Sequence, residues 1–551
     1  MSDNYSQNSP DRRRRIALDP WSIGATLIAA VVLMPIVAII WFAFHPIDNI
    51  WPHLMTTTLP RYLANTGVLM VCVGVLAAAI GTGAAWMVVM YQFPARRLLQ
   101  WALLMPLAVP AYVGAYALVD FFEYAGPVQT GLRAIFGWTN AQDYSFPAIR
   151  TRGAAIVVLS AALYPYVYIL ARAAFREQSG AGFEVARALG AGPFARFWRV
   201  GFPLARPAIA AGVAVVMMET VNDYGTVDYF AVQTLTTGIF SVWLQGGNLG
   251  GAAQLAVCVL TIIVVLVTLE KLSRRKSRFF MSARNARPVT PAKLVGWRGW
   301  AMTVLCVLPV LVGFVLPMAV LMSHAVDVSE WTAPGLRLAV TRTVIVGSIA
   351  AILTVLGGVF MVYGVRLGNK RWPTLLMPVT AIGYAAPGAV LALGILVPLA
   401  TFDNGFADMV YALTGYDPGL LLTGTAAALV LAYVVRFFAI AQGTADAALG
   451  RVSPSLPMAA RSLGRTKGGT LLAVQMPLVR ASIGSALLLV FVDAVKELPA
   501  TLLLRPFNFD TLATRVHAKA SLENIAEAAP AALMISAIGL VAVALLARAN
   551  R

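Results

Sequence analysis

The sequence predicts an all-α polytopic membrane protein, about twelve transmembrane helices in two pseudo-symmetric six-helix halves. Three observations predict it. Hydrophobic residues make up 59% of the 551 positions, charged residues 12%, and mean hydropathy is +0.76, which no ordinary soluble domain sustains. Apolar runs close to or above the roughly 20 residues needed to cross a bilayer as a helix recur along the whole chain. Finally, Glu184-Val-Ala-Arg-Ala-Leu-Gly190, nine residues and Val200-Gly-Phe-Pro203 recur as Met458-Ala-Ala-Arg-Ser-Leu-Gly464, nine residues and Val474-Gln-Met-Pro477. Equal spacing in two polar, basic islands marks an internal duplication.

The runs can be taken in order. The first, 21–43, follows Arg12 to Arg15 and precedes no small-residue cleavage site, so it reads as a retained helix and not a signal peptide. Runs 63–90 and 98–120 flank Arg96 and Arg97, and runs 153–174 and 205–224 flank the first polar island. Run 250–270 leads into a linker, Lys271 to Arg298, rich in Arg, Lys and Ser and containing Pro288 and Pro291. The series then repeats as 299–322, 342–365, 373–400, 419–442, 480–499 and 528–547. Barrel strands would be shorter and alternating, so helices are expected. The organisation is a tail over 1–20, a first half over 21–270, a linker over 271–298 and a second half over 299–551. Met105-Pro106 with Pro110-Ala-Tyr-Val matches Met377-Pro378 with Pro387-Gly-Ala-Val, and the offset between halves stays between 272 and 277 residues. Six spans separate the repeats, so the halves share one orientation about an axis along the membrane normal, and a solute path is expected between them.

Orientation follows from Lys and Arg, which are retained on the cytoplasmic side. With both termini inside, 31 of the 42 basic residues are cytoplasmic. The net charge of +18 is thereby a matter of topology and does not point to nucleic acid.

The pattern Glu-Ala-Ala, three residues, Gly, nine residues, an aliphatic residue, one residue, Leu-Pro resembles the signature loop of bacterial binding-protein-dependent ABC importer permeases. Glu184, Ala186, Gly190, Val200 and Pro203 match it in the first copy; Ala459, Ala460, Gly464, Val474 and Pro477 match it in the second, where Met458 replaces Glu. Together with Asn-Asp-Tyr-Gly-Thr near 222–226 and Lys-Glu-Leu-Pro-Ala-Thr near 496–501, the two fused halves resemble the ferric iron permeases of this type. The resemblance implies a type I importer fold in the bacterial inner membrane, two copies of a cytoplasmic ATPase that carry ATP and Mg, and one external solute-binding protein. It implies no cofactor in this chain and no enzymatic activity of its own. The same architecture carrying thiamine, a phosphonate or another small solute is the alternative; an ion-gradient-driven transporter of two six-helix repeats is the other.

The residues support the loop's role independently. Small Ala side chains permit close approach, Gly190 and Gly464 permit a sharp turn between two short helices, and Pro203 and Pro477 suit the start of the next span. Glu184 offers a charged contact that Met458 does not, so unequal coupling is expected. No Gly-x-x-x-x-Gly-Lys-Ser/Thr loop occurs, and Gly464-Arg-Thr-Lys-Gly468-Gly469 lacks its order, so ATP binding is assigned to a partner.

Charges within a bilayer are costly and point to a path. Glu219 with Asp223, and Asp493 with Glu497, are spaced i, i+4 and expected on one helix face each, facing one another across the axis, with Lys496 offsetting part of their charge. Arg436 is expected to snorkel or to pair with a neighbouring helix. Hard oxygen donors suit ferric iron. The histidines His45, His53, His324 and His517 fall in or beside expected external loops; His45 with Asp48 and His324 with Asp327 share a spacing that would suit a receiving site. Cys72, Cys258 and Cys306 show no metal-type spacing and read as packing residues.

Overall fold

A computed structural model describes residues 20–275, 290–326, 328–367, 371–380 and 386–549. Among these, eleven helices are long and apolar enough to cross a bilayer, and a twelfth span is broken. The first half contributes Pro20–Phe44, Leu59–Met90, Arg152–Glu177, Pro193–Asn222 and Leu249–Leu272; the second contributes Trp297–His324, Leu336–Leu367, Gly388–Thr414, Ala426–Gly450, Lys467–Lys496 and Ile525–Leu545.

Three expectations are corrected. The run at 98–120 is not one helix: Arg96–Ala108 and Ala111–Phe136 meet at 94°. The break falls at Pro110, whose missing N–H and fixed φ start a new helix after the extended Val109. In the second half, Pro387 similarly precedes a helix that runs on to Thr414, well past the expected end at 400. The spans expected to start near 205 and 480 begin earlier. Pro193–Arg196 and Lys467–Thr470 continue through π-helical turns, Phe197–Gly201 and Leu471–Gln475, into the spans beyond. Pro203 and Pro477 cannot donate, and the widened turn carries the helix past them.

Corresponding elements pack alike in the two halves. Leu59–Met90 lies along Arg152–Glu177 and Phe202–Asn222, as Leu336–Leu367 lies along Ala426–Gly450 and Met476–Lys496. Gly81 and Gly358, 277 residues apart, sit where a Cβ would meet the neighbouring backbone at Tyr164 and Tyr168 in one half and at Ala441 and Gln442 in the other. Small residues at these contacts let helices approach where lipid supplies no hydrophobic drive. Thr66 accepts from the Leu235 amide at 3.0 Å, and Thr343 accepts from the Leu512 amide at 2.8 Å.

The first helix of each half crosses over. Pro20–Phe44 packs on Leu336–Leu367 and Gly388–Thr414, with Trp21 stacked on Phe360 at 4.9 Å between ring centres. Trp297–His324 packs reciprocally on Ala111–Phe122 and Arg152–Glu177. A two-residue parallel ladder, Tyr91–Gln92 with Ala292–Lys293, ties the end of the second span to the end of the linker.

A charged cavity between the halves and two glycine-turned loops

The duplicated islands form the same structure twice. Gly180–Ala188 ends at Gly190, φ +79°, and Ser455–Ser462 ends at Gly464, φ +83°. The Ala191 amide donates to Ala186 O at 2.9 Å and the Gly190 amide to Arg187 O at 3.0 Å; Arg465 to Ala460 O and Gly464 to Arg461 O, both at 3.1 Å, repeat the pattern. This is the Schellman helix end, and it needs a residue free to adopt positive φ at the turn. Glu184 and Met458 occupy matching exposed positions. Leu189 and Leu463 are 82% and 86% exposed, Val185 60% and Phe194 76%, so each loop presents an apolar, unpartnered face. Ala186, Pro203, Ala459, Ala460 and Pro477 belong to the same two hairpins, with Ala460 buried beneath its helix.

At the far ends of the spans that leave these loops lies a cavity of about 180 Å³ between the halves. Glu219, Asp223, Asp493, Lys496 and Glu497 all line it, and Arg436 joins them. Four carboxylates thus face two cations. Glu219 and Asp493 project from their helices, half-buried. Asp223 and Glu497 do not share a helix face with them as expected: each is the first extended residue after its helix, at ψ 134° and 118°. There each caps the next short helix. Asp223 accepts from the Thr226 and Val227 amides at 3.0 and 3.1 Å and from the Thr226 hydroxyl at 2.9 Å; Glu497 accepts from the Ala500 amide at 3.0 Å. A carboxylate at a helix start both satisfies free amides and meets the positive end of the dipole.

Arg436 does not snorkel. Its Nε lies 3.0 Å from Glu497 Oε2, with the two side chains 12% and 4% exposed. Gly388 makes room for this pair, since a Cβ there would run into Glu497 Oε1 and the Arg436 guanidinium. Lys496 Nζ donates to Leu107 O at 2.8 Å, crossing from the second half to the break in the third span of the first. Glu219 lies within electrostatic reach of both Arg436 and Asp493.

Two cavity groups escaped sequence reasoning. The Tyr112 hydroxyl and Asn222 Oδ1 are buried, line the cavity and have no hydrogen-bond partner. Buried polar groups are nearly always satisfied, so these two are open positions for a solute or its water. Asn222 carried a signal, in the position matching Lys496; Tyr112 carried none beyond its place two residues after Pro110.

The histidine spacing does not survive. His45 stacks on Trp41 at 4.0 Å between ring centres. His324 Nε2 meets Asp120 Oδ2 at 2.9 Å, and Asp327 lies outside the described residues. His517 is not in a loop but on the helix Leu512–Ser521, where burial, with Arg505 nearby, pushes its imidazole down to about 4. Cys306 is buried, while Cys72 and Cys258 are half-buried; all three are free thiols. No three His, Cys, Asp or Glu side chains among the described residues gather as a metal site.

In sequence the chain is similar to membrane components of transport systems. Residues 70–279 match the family described as the binding-protein-dependent transport system inner membrane component. The chain is 24% identical to the Fe(3+)-transport system permease protein FbpB 2 of Haemophilus influenzae over 499 residues, 88% of each chain. It is 24% identical over 217 residues to a probable sulfate transport permease of Chlorokybus atmophyticus, covering 38% of this chain and 70% of that one. It is 28% identical over 186 residues to the molybdenum transport permease ModB of Escherichia coli, covering 32% of this chain and 76% of that protein.

Proposed function

We propose that this chain, a two-half membrane permease of the binding-protein-dependent transport family, carries ferric iron through the cavity between its halves. The observation that carries the cargo reading is the cavity itself, where four carboxylates outnumber two cations at the meeting of corresponding helix ends. Hard anionic oxygens suit a hard trivalent cation. The relative aligned over nearly the whole chain is named as an Fe(3+) permease, which supports the same cargo.

In this reading the two glycine-turned loops face the cytoplasm, as do both chain termini, in a bacterial inner membrane. Each loop inserts its exposed apolar face, Leu189 or Leu463, into one of two ATPase subunits. ATP and Mg reside on those subunits. Closure of the ATPases draws the loops together, and because each loop is continuous with a span ending at the cavity, the movement reaches Glu219 and Asp493 directly. One external binding protein delivers the solute to the opposite mouth. This chain performs no covalent chemistry.

A second reading has an observation of its own. Arg436 and Lys496 in the cavity would suit an oxyanion, and permeases named for sulfate and molybdenum are among the relatives. The deciding experiment is uptake into vesicles containing the chain with its ATPase and binding protein, offered ferric iron, molybdate, sulfate or thiamine. ATP-dependent ferric uptake that vanishes in Gly190→Pro with Gly464→Pro is expected, because proline cannot take the positive φ of the turn. Uptake of an oxyanion or of thiamine alone would discard iron, and uptake driven by an ion gradient without ATP would discard the mechanism.

A further inference from the structure

Between the cavity and the end of the bundle opposite the loops lies a second polar cluster. The Tyr116 hydroxyl and His517 Nδ1 are 2.8 Å apart and join the two halves. Tyr224 lines the cavity, packs against His517 at 5.9 Å between ring centres and lies within electrostatic reach of Asp228. Asp228 is in turn within electrostatic reach of Tyr116. Tyr229 sets its ring on edge to Tyr116 at 4.5 Å, and Arg150 lies 5.1 Å over Tyr229 while bridging Glu123 and Glu523 at the rim.

The internal duplication supplies a control for what this cluster does. With the offsets fixed by Asp223 and Glu497, by Pro110 and Pro387, and by the capping threonines Thr234 and Thr511, the counterparts can be read off. Tyr116 corresponds to Leu393, Tyr224 to Leu498, Asp228 to Leu502 and His517 to Phe240. Leu393, Leu498 and Phe240 are all buried in apolar packing. The same backbone therefore folds with hydrocarbon at these places, and packing does not call for phenols, imidazole and carboxylate. Tyr116 is buried, Tyr224 and His517 are half-buried and Asp228 is exposed, so the set runs from the interior to the surface, and polar groups drawn partly out of water where the fold does not need them point to another use.

We propose that Tyr116, Tyr224, Asp228 and His517 form a way station that receives the ferric ion at the outer mouth and passes it to the carboxylate cavity. The inference rests on the ferric reading above. Phenolate and carboxylate oxygens are hard donors, and imidazole also ligates iron. On binding, Tyr116 and Tyr224 each lose a proton to water as the oxygen–iron bond forms. Two phenolates and one carboxylate then carry −3 against the +3 of the ion. Tyr224, common to both sites, gives the ion a ligand to keep while it exchanges the rest for Asp223 and Glu219. The hydrogen bond between Tyr116 and His517 keeps that buried phenol satisfied when no ion is present.

The test is titration of the purified full-length chain in detergent with ferric nitrilotriacetate, without ATPase or binding protein. Phenolate-to-iron charge transfer gives a visible absorption band that carboxylates alone do not produce. The expected result is such a band in the wild type, lost in the Tyr116→Phe, Tyr224→Phe double variant, and an affinity loss of about 10- to 100-fold in either single variant. His517→Phe installs the residue found at the counterpart position, keeps the packing and is expected to weaken the band. Absence of the band from a wild type whose vesicles still take up ferric iron would overturn the way station and leave the cargo reading intact. Absence of the band with uptake of molybdate or sulfate alone would overturn both. A band that persists unchanged in the double Phe variant would also overturn the proposal, and slow labelling of buried Cys306 checks that each variant is folded.

Discussion

Replacing Arg436 by Met tests the central feature of the cavity, a nearly dry ion pair between the tenth and eleventh spans. Arg436 Nε and Glu497 Oε2 are 3.0 Å apart at 12% and 4% side-chain exposure. Removing one partner of a buried pair leaves a charge with no counterpart, and costs about 3–5 kcal/mol. The cavity holds Lys496 close by, which compensates part of that loss, so the low end, about 3 kcal/mol, is expected here. Adding Glu497→Gln should restore most of the loss. Glutamine keeps an oxygen that can accept the Ala500 amide now bound by Glu497 Oε1 at 3.0 Å, and it removes the stranded charge. The assay is unfolding by SDS in mixed micelles, followed by tryptophan fluorescence, over wild type, both single variants and the double. A loss below about 1 kcal/mol for Arg436→Met would refute the reasoning, showing that water reaches the pair. So would a double variant as unstable as the sum of the two singles, because the coupling would then be absent.

The remaining predictions concern the same two regions. Gly388→Ala drives a methyl group towards Glu497 Oε1 and is expected to lower the thermal midpoint by several degrees, whereas Gly405→Ala, with open space around it, leaves the midpoint unchanged. Glu184→Ala is expected to slow ATP-driven uptake more than Met458→Ala, since only the first loop has a carboxylate at this position to set against its ATPase; equal losses measured in vesicles would refute unequal coupling. Asn222→Lys puts in the first half the cation that Lys496 provides in the second, and ferric uptake is expected to fall at least about tenfold from added like-charge repulsion. Unchanged uptake with unchanged protein levels would show that the cargo does not approach Asn222.

The sequence carried the frame and the loops because both depend on local and periodic signals. Apolar runs, the two glycines and the constant offset are properties of neighbouring residues, and the hairpins at Gly190 and Gly464 were readable down to the turn. What lay outside that reach was set by the third dimension. The break at Pro110 lies within an apolar run long enough to pass for one span, and the proline's missing N–H does not by itself say whether the run kinks or turns by 94°. Asp223 and Glu497 keep the i, i+4 spacing of a helix face, yet each leaves its helix to cap the next, so the spacing was right and the geometry different. His517 looked like a loop residue because its helix, Leu512–Ser521, is too short and polar to register as a span. Its partner Tyr116 is 401 residues away, a distance across which spacing says nothing.

The duplication separates what builds the frame from what equips it. Features that recur at the fixed offset are structural in kind: Gly81 with Gly358 at the helix crossings, Thr66 with Thr343 holding the capping turns, Gly190 with Gly464 ending the loop helices. Glu219 with Asp493 and Asp223 with Glu497 also recur, which gives the cavity an acidic lining from both sides. The cations do not recur. Arg436 stands opposite Ala162, and Lys496 opposite Asn222, so both positive charges belong to the second half while all four positions line the same space. Both cations nevertheless reach across the axis: Glu219 of the first half lies within electrostatic reach of Arg436 and of Lys496, while Asp223 is held by the Thr226 and Val227 amides and the Thr226 hydroxyl. The phenols of Tyr116 and Tyr224 lie on that same half. An even frame thus carries Tyr116 and Tyr224 on one half and Arg436 and Lys496 on the other, and the transfer proposed above from Tyr224 enters the cavity from the half that supplies no positive charge.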